Sequence, residues 1–447
     1  MCWHRGALVQ GVLLGMLAWT AIAGLGCDDT RYSASEIEVE APQDDDPINN
    51  TSPDIPMTQP CLELDKEAGF VREAYPPGSL MEGILDGHLF YAHTDRVQGE
   101  LPRLSERNLL TDTETLVFGT PGASNTIIDA RDGARMWVER LDDRCSLHYG
   151  PPSDTRQPPV TIELENCDGV PRGTFGFGLQ YTTQWVEPGL MAFPNGDTIL
   201  LLSNGELVSP QLPAPSPMRQ VVSHSLTVSG GRVAWADSDG WVHLWEASQT
   251  RSLQLPQQGL GYGPTMVMDG AVLWMDGQNA VWQWEDGQQE AQMLHEGPCY
   301  HGHAHGDMAA FVCDSGAQNA LGLGMGSELW RYDGQVLESL ALGQERAFMV
   351  HVYQGVVAAA LYEAPDAWCT GGVPGRLVLF APDQDAAVEV DQIGDDCGCC
   401  GRMPVPMQLR LKQDGVVWSH ALDDGQEFFN APGQLGYMPL AMECAVP

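Results

Sequence analysis

From Ser229 to Pro256 the chain reads SGGRVAWADSDGWVHLWEASQTRSLQLP, and this stretch constrains the fold more than any other. In the run from Arg232 to Ala236, Val233 and Trp235 share one face and Ala234 and Ala236 the other. Alternation with period two over a short run rich in β-formers predicts a strand. Ser238-Asp239-Gly240 is a hairpin signal, because glycine takes the positive φ of a tight turn without a Cβ clash. Trp241 to Trp245 predicts the next strand, with Trp241, His243 and Trp245 on one face. A polar turn from Glu246 to Thr250 leads into a further strand, Ser252 to Leu255, which Pro256 ends. Val221 to Val228 is another extended run, so the unit predicts four antiparallel strands in one sheet. Such a sheet cannot bury both of its faces alone, and repetition solves that problem.

The pattern returns. Gly270-Ala-Val-Leu-Trp274, Asp276-Gly277, Ala280-Val-Trp-Gln-Trp284, Asp286-Gly287 and Ala291-Gln-Met-Leu294 match the first unit element by element. A glycine opening an apolar strand recurs at Gly87, Gly133, Gly189, Gly231, Gly270, Gly306, Gly355 and Gly415. Roughly 36 to 60 residues separate these glycines, in the range of four-stranded propeller blades. Fifty glycines and 31 prolines suit a chain dense in turns. The expected fold is all-β: a single β-propeller of seven or eight four-stranded blades spanning 61–447. A β-solenoid or two smaller β-domains are the alternatives.

The Gly-x-Val-x-Trp strand, the Asp-Gly hairpin and the following apolar-Trp strand resemble the blades of TolB-like and tryptophan-aspartate-repeat propellers over roughly residues 80 to 430. That resemblance implies a scaffold, and a scaffold does not name an activity.

The chain opens with a weakly basic start, His4 and Arg5, and an apolar run from Ala7 to Gly26 interrupted by Gln10. Leu25-Gly26-Cys27 resembles a bacterial lipoprotein signal, which implies residues 1–26 as signal peptide and Cys27 as the lipidated residue. A plain cleaved signal and an uncleaved anchor are the alternatives; the run is marginal for a spanning helix, which needs about 20 residues. Residues 27–60 have no apolar period and include Asp44-Asp-Asp-Pro47, which predicts a disordered acidic tether. A lipid anchor joined to a propeller is similar in architecture to the propeller subunit of the outer-membrane barrel-assembly machinery. The expected location is the cell envelope, on the periplasmic or surface side of a bacterial membrane, with the domain monomeric.

Sixty acidic against 22 basic residues give a formal charge of −38. Phosphate backbones require a basic footprint, so nucleic acid is not an expected partner. Of 12 cysteines, setting aside Cys2 and Cys27 leaves an even set, which predicts disulfides in an exported chain. Cys299 and Cys313 lie equally far either side of the Gly306 turn, and Cys145 and Cys167 do the same about Arg156. Cys61 and Cys444 bracket the domain, and Cys369 is expected to pair within Cys397-Gly-Cys399-Cys400. Those last four cysteines also permit zinc or free thiols, although the usual two-residue spacing is absent.

Cys299-Tyr-His301-Gly-His303-Ala-His305 is the strongest candidate for chemistry. On a strand His301, His303 and His305 face one way, about 6.5–7 Å apart, so zinc or copper ligation at the propeller channel is one reading. His224 and His351 fall on comparable strands. The competing reading is that a polar channel simply accepts histidine. Acidic turns such as Asp237-Ser-Asp239-Gly240, Asp276-Gly277 and Asp423-Asp424-Gly425 resemble fragments of calcium loops but lack a full donor set. Asp239-Gly240 also resembles a sialidase aspartate box, without the recurrence that family shows. The sequence has no Gly-x-Ser-x-Gly elbow, phosphate-binding glycine loop or His-Glu-x-x-His pair. Trp235, Trp274 and Trp418 fall at matching strand positions, which points to core packing before a carbohydrate platform. The expected function is therefore non-catalytic binding or scaffolding of an envelope protein, with no cofactor. A metal-dependent enzyme or hydrolase at the channel, and glycan binding, are the alternatives.

Overall fold

The computed structural model describes residues 62–442 apart from 66–68, 74–78, 86–87, 94–102, 109–112, 119–122, 132–133, 151–158, 165–183, 196, 213–218, 223–224, 255–264, 315–326, 343–344, 364–374, 383–386, 394–405, 413–414 and 422–432. The expected signal, tether and Cys27 lie outside the described residues.

The architecture is all-β, a propeller of eight antiparallel sheets taken in chain order. Call these blades 1 to 8. Their first strands are Ser79–Leu85, Ser124–Arg131, Val186–Glu187, Thr227–Ser229, Met266–Met268, Cys299–His305, Glu345–Tyr353 and Pro406–Lys412. Each of blades 1 to 7 runs first to fourth strand without a crossover. Blade 8 is made from both ends of the domain: Leu62–Leu64 and Phe70–Glu73 both pair with its third strand, Gly433–Met442. Successive first strands lie side by side. Gln184, just before blade 3's first strand, forms a parallel bridge with Thr227 of blade 4. Among the described residues no helix is long and apolar enough to cross a membrane.

The glycine-plus-strand signal marks the second strand of every blade. Those strands begin at His88, Ala134, Leu190, Arg232, Ala271, Met308, Val356 and Gly415. The first-to-second connection is two residues long in all eight. Gly189, Gly231, Gly270, Gly306 and Gly355 take φ of 62° to 82° there, which only glycine adopts cheaply. The structure departs from the expected central unit in one place. Only Thr227–Ser229 of the run Val221 to Val228 is a strand. Val221 forms a lone bridge with Asp237, and the Ser225 hydroxyl donates to the Val222 carbonyl at 2.6 Å, turning the chain before the sheet begins.

Register explains the core. The fourth residue of each second strand is Tyr91, Trp137, Phe193, Trp235, Trp274, Phe311, Ala359 and Trp418. Seven of these eight are aromatic, so one large ring per blade is the rule and blade 7 the exception. Trp137, Trp235, Trp274, Trp418, Phe193 and Phe311 are all fully buried. What lies opposite is matched to each ring. The imidazoles of His148 and His243 stack on Trp137 and Trp235, centroids 5.0 Å apart in both blades. In blade 8 the partner is Gly436, where an added Cβ would come within 2.0 Å of the Trp418 ring. In blade 7 the residue opposite Ala359 is the buried Val378, while Ala358 and Ala360 stand opposite Leu379 and Leu377. Burying such side chains contributes about 1.5–3 kcal/mol each, and the core reading of Trp235, Trp274 and Trp418 holds.

Candidate functional site

The groups with the means for chemistry lie in two places: along the axis, on the first strands, and at the end where second strands turn into third strands.

One position on the first strands recurs around the axis. Two residues before the strand's last residue stand Gly83, Asp129, Thr227, Met266, His303, His351 and Arg410, in blades 1, 2, 4, 5, 6, 7 and 8. The polar members among them mostly bond the backbone of the following blade. Asp129 Oδ2 accepts the Trp185 and Val186 N–H groups at 2.7 and 3.2 Å. Thr227 Oγ1 donates to the Thr265 carbonyl at 2.6 Å. His303 Nδ1 accepts the Val352 N–H at 3.0 Å, and His351 Nδ1 accepts the Leu411 N–H at 3.3 Å. Arg410 does something different. It reaches Asp129 Oδ1 at 3.3 Å, from blade 8 to blade 2, and the intervening blade 1 carries glycine at this position. Gln184 is bonded to His303 Nε2, joining blades 3 and 6. Asp129, Gln184, Thr227, His303 and His351 are each 6% exposed or less. At this level the described axial residues form a packed polar layer. Isolated buried polar groups cost free energy, so their mutual pairing is a condition of the fold.

The three axial histidines therefore have separate surroundings. His303 lies against His351, ring centroids 3.7 Å apart. His305 lies against Tyr353 at 4.4 Å and accepts the Gln354 N–H at 3.3 Å. His301 packs beside Tyr300, and burial pushes its pKa down to about 4, so it is neutral at pH 7. Gly302 keeps this strand tight: an added Cβ would meet the Met266 Sδ at 2.4 Å.

Among the described residues the histidine, cysteine and acidic donors that do converge are His295, Cys299 and Cys313, all within 4.8 Å of one another. Cys299 and Cys313 face each other across the first two strands of blade 6 and are disulfide-bonded, as the symmetric spacing about Gly306 predicts. Cys145 is also disulfide-bonded. Its expected partner Cys167 lies outside the described residues, as do Cys61, Cys369, Cys397, Cys399, Cys400 and Cys444. His295 was not singled out by sequence. It is the last residue of the fourth strand of blade 5, and only its position four residues before Cys299 hints at it.

A Ser-His-Asp arrangement sits in blade 4. His243 Nε2 donates to Asp237 Oδ2 at 2.9 Å, and Ser252 Oγ donates to His243 Nδ1 at 2.8 Å. Burial raises the Asp237 carboxyl, but hydrogen bonds from His243 and the Trp241 N–H, with the Arg219 charge, outweigh it and hold the pKa below its ordinary value. Blade 5 shows what the arrangement does. Asp237 Oδ1 accepts the N–H groups of Asp239 and Trp241, while Asp276 Oδ1 accepts those of Gln278 and Ala280. Six residues on from Asp276, the Trp282 Nε1–H donates to its Oδ2 at 2.8 Å, in the place His243 takes in blade 4. An indole cannot act as a base, so the shared role is to hold the turn. The same finding explains the Asp237 and Asp276 turns without calcium; Asp423-Asp424-Gly425 lies outside the described residues. Ser252→Ala is expected to lower stability by about 0.5–1.5 kcal/mol, one hydrogen bond's worth. A fluorophosphonate probe is expected to leave Ser252 unlabelled; labelling there would make the arrangement catalytic.

No family model matches the sequence, and no curated protein does. Among solved structures, the chain is similar to the computationally designed Ika8 protein at 13% identity, with 82% of this chain and 98% of that one covered and a TM-score of 0.49. It is also similar to the β-propeller domain of the Trilobed protease from Pyrococcus furiosus, described as having an open velcro topology, at 8% identity over 72% and 99%, TM-score 0.39. A TolB from Agrobacterium tumefaciens, described as putative, matches at 15% identity over 50% and 83%, TM-score 0.31. At these scores the architecture rests on the strand topology itself.

Proposed function

We propose that the chain is a non-catalytic binding scaffold of the cell envelope, held to a membrane through lipidated Cys27, with a protein partner at one end of its propeller. One observation carries this reading: most of the long connections leave from one end, 151–159 of blade 2 being the exception. All eight first-to-second turns, two residues each, leave from one end. From the other end leave 94–102, 165–185, 209–226, 255–265, 315–326, 364–374, 394–405 and 422–432. In repeat proteins, insertions gathered on one face commonly form the binding face. Segments 255–265 and 315–326 contain no charged residue, in a chain whose formal charge is −38. That composition suits an apolar protein contact better than a charged ligand. The axial groups favour the same reading, because their bonds are committed between blades. The apolar run before Cys27 supports the anchor.

The test is crosslinking in intact cells followed by recovery of the chain, with 315–326 and 364–374 each replaced by a two-residue turn. Wild type is expected to recover a protein that both replacements lose while remaining folded. Equal recovery from all three would end the proposal, as would turnover of a defined substrate abolished by His303→Ala.

A further inference from the structure

The convergence of His295, Cys299 and Cys313 is unexplained by any role given so far. The two sulfurs are wholly buried. The His295 Nδ1 lies 3.6 Å from Cys299 Sγ and 3.7 Å from Cys313 Sγ. Nδ1 also accepts the Gly297 N–H at 3.0 Å, so it carries no proton, and its one lone pair is engaged by that donor. Gly297 is a condition of that pose, since an added Cβ would lie 2.8 Å from the imidazole Cε1. Phe311 and Trp330 wall the ring at centroid distances of 6.0 and 4.8 Å. Burial lowers the pKa of His295, partly offset by the Glu328 carboxylate.

Zinc offers a yardstick. With Zn–S near 2.3 Å and Zn–N near 2.05 Å at tetrahedral angles, nitrogen and sulfur ligands stand about 3.6 Å apart and two sulfurs about 3.8 Å. Both nitrogen–sulfur separations already have that value. Two changes remain: the sulfurs must move apart, by rotation about Cα–Cβ bonds on two paired strands, and the Gly297 N–H must release Nδ1. A disulfide alone needs no histidine placed equally from both sulfurs.

We propose that the Cys299–Cys313 disulfide is one of two states of this site, and that reduction by a thiol yields a Cys2His centre for zinc with its fourth position open. The reaction balances in two steps. A dithiol reductant donates two electrons and two protons to the disulfide, giving two Cys thiols and its own disulfide. Zinc then binds the two thiolates and the His295 Nδ1 and releases the two thiol protons. The site stands at the root of connection 315–326, which begins one residue after Asp314. The metal and disulfide states therefore act on the end proposed to bind a partner, although the metal site does not depend on that proposal.

The test uses the full chain, reduced with a dithiol, exchanged anaerobically and titrated with cobalt as a spectroscopic stand-in for zinc. Thiolate-to-cobalt absorption is expected at one equivalent per chain, displaced by zinc and absent from the oxidised chain. Other cysteines are controlled by Cys299→Ser/Cys313→Ser, which should lose that equivalent. His295→Ala keeps both sulfurs and the disulfide, so its folding is secure; its reduced form is expected to bind cobalt at least about tenfold more weakly. Three results would each overturn the proposal: Cys299 and Cys313 remaining oxidised under the dithiol, unchanged cobalt uptake by the double serine variant, or unchanged affinity in His295→Ala.

Discussion

Trp274→Ala is expected to reduce the unfolding free energy by about 3–5 kcal/mol, the cost of emptying an aromatic site in a core that cannot collapse. The site is the fourth residue of blade 5's second strand, buried to 1% exposure. Trp282 stands directly opposite on the third strand, held in place by Asp276. Neither neighbour can move into the vacancy without giving up that bond. Equilibrium denaturation by urea, followed by tryptophan fluorescence and circular dichroism, checks it. The reciprocal change is as informative. Blade 7 carries Ala359 at the equivalent position, fully buried among small and branched side chains. Ala359→Trp should also destabilise, by 1–3 kcal/mol or about that order, because an indole has no matching hollow there. If it proved neutral, the register equivalence between blades would be wrong.

Asp129→Ala should cost more than Arg410→Ala, although the two residues form one ion pair. Losing Arg410 leaves the Asp129 carboxylate with the Trp185 and Val186 N–H donors. Losing Asp129 strands those two donors and also removes an anionic partner of Arg410, whose side chain is 14% exposed. Breaking a buried pair typically costs about 3–5 kcal/mol, toward the low end when other hydrogen bonds remain. The expectation is about 2–3 kcal/mol for Arg410→Ala and about 4–5 kcal/mol for Asp129→Ala. Asp129→Asn, which keeps an acceptor oxygen for the backbone, should fall between them. The same urea series decides it, and equal losses for both alanine variants would mean that only the ion pair matters.

How much of this was legible in the chain depends on the range of each interaction. The eight glycine-led strands could be read directly, because a two-residue turn and an alternating strand are local. The tryptophan row was legible at 235, 274 and 418, but not at Ala359, where the apolar count stays high while the ring disappears. Cys299 and Cys313 were found because the turn at Gly306 centres them. His295 escaped: it ends a short strand whose register shifts beside it, so alternation along that strand does not place it against blade 6. The axial layer escaped in larger part. His303 and His351 were noted for their type, but their acceptor roles depend on the next blade's backbone. Asp129 and Arg410 are 281 residues apart, and nothing in either neighbourhood points to the other. The Ser-His-Asp contact in blade 4 was likewise invisible, because it joins a turn to the third and fourth strands.

Leu62–Leu64 and Phe70–Glu73 have their partner, Gly433–Met442, at the opposite extremity of the domain. During synthesis the leading segment emerges early and its mate comes last. Seven blades can fold in the interval, yet the eighth must stay incomplete with its hydrogen-bonding edge unclaimed. A chaperone that shields extended segments would have its longest engagement there, and a chain released short of residue 433 would carry a permanently sticky margin.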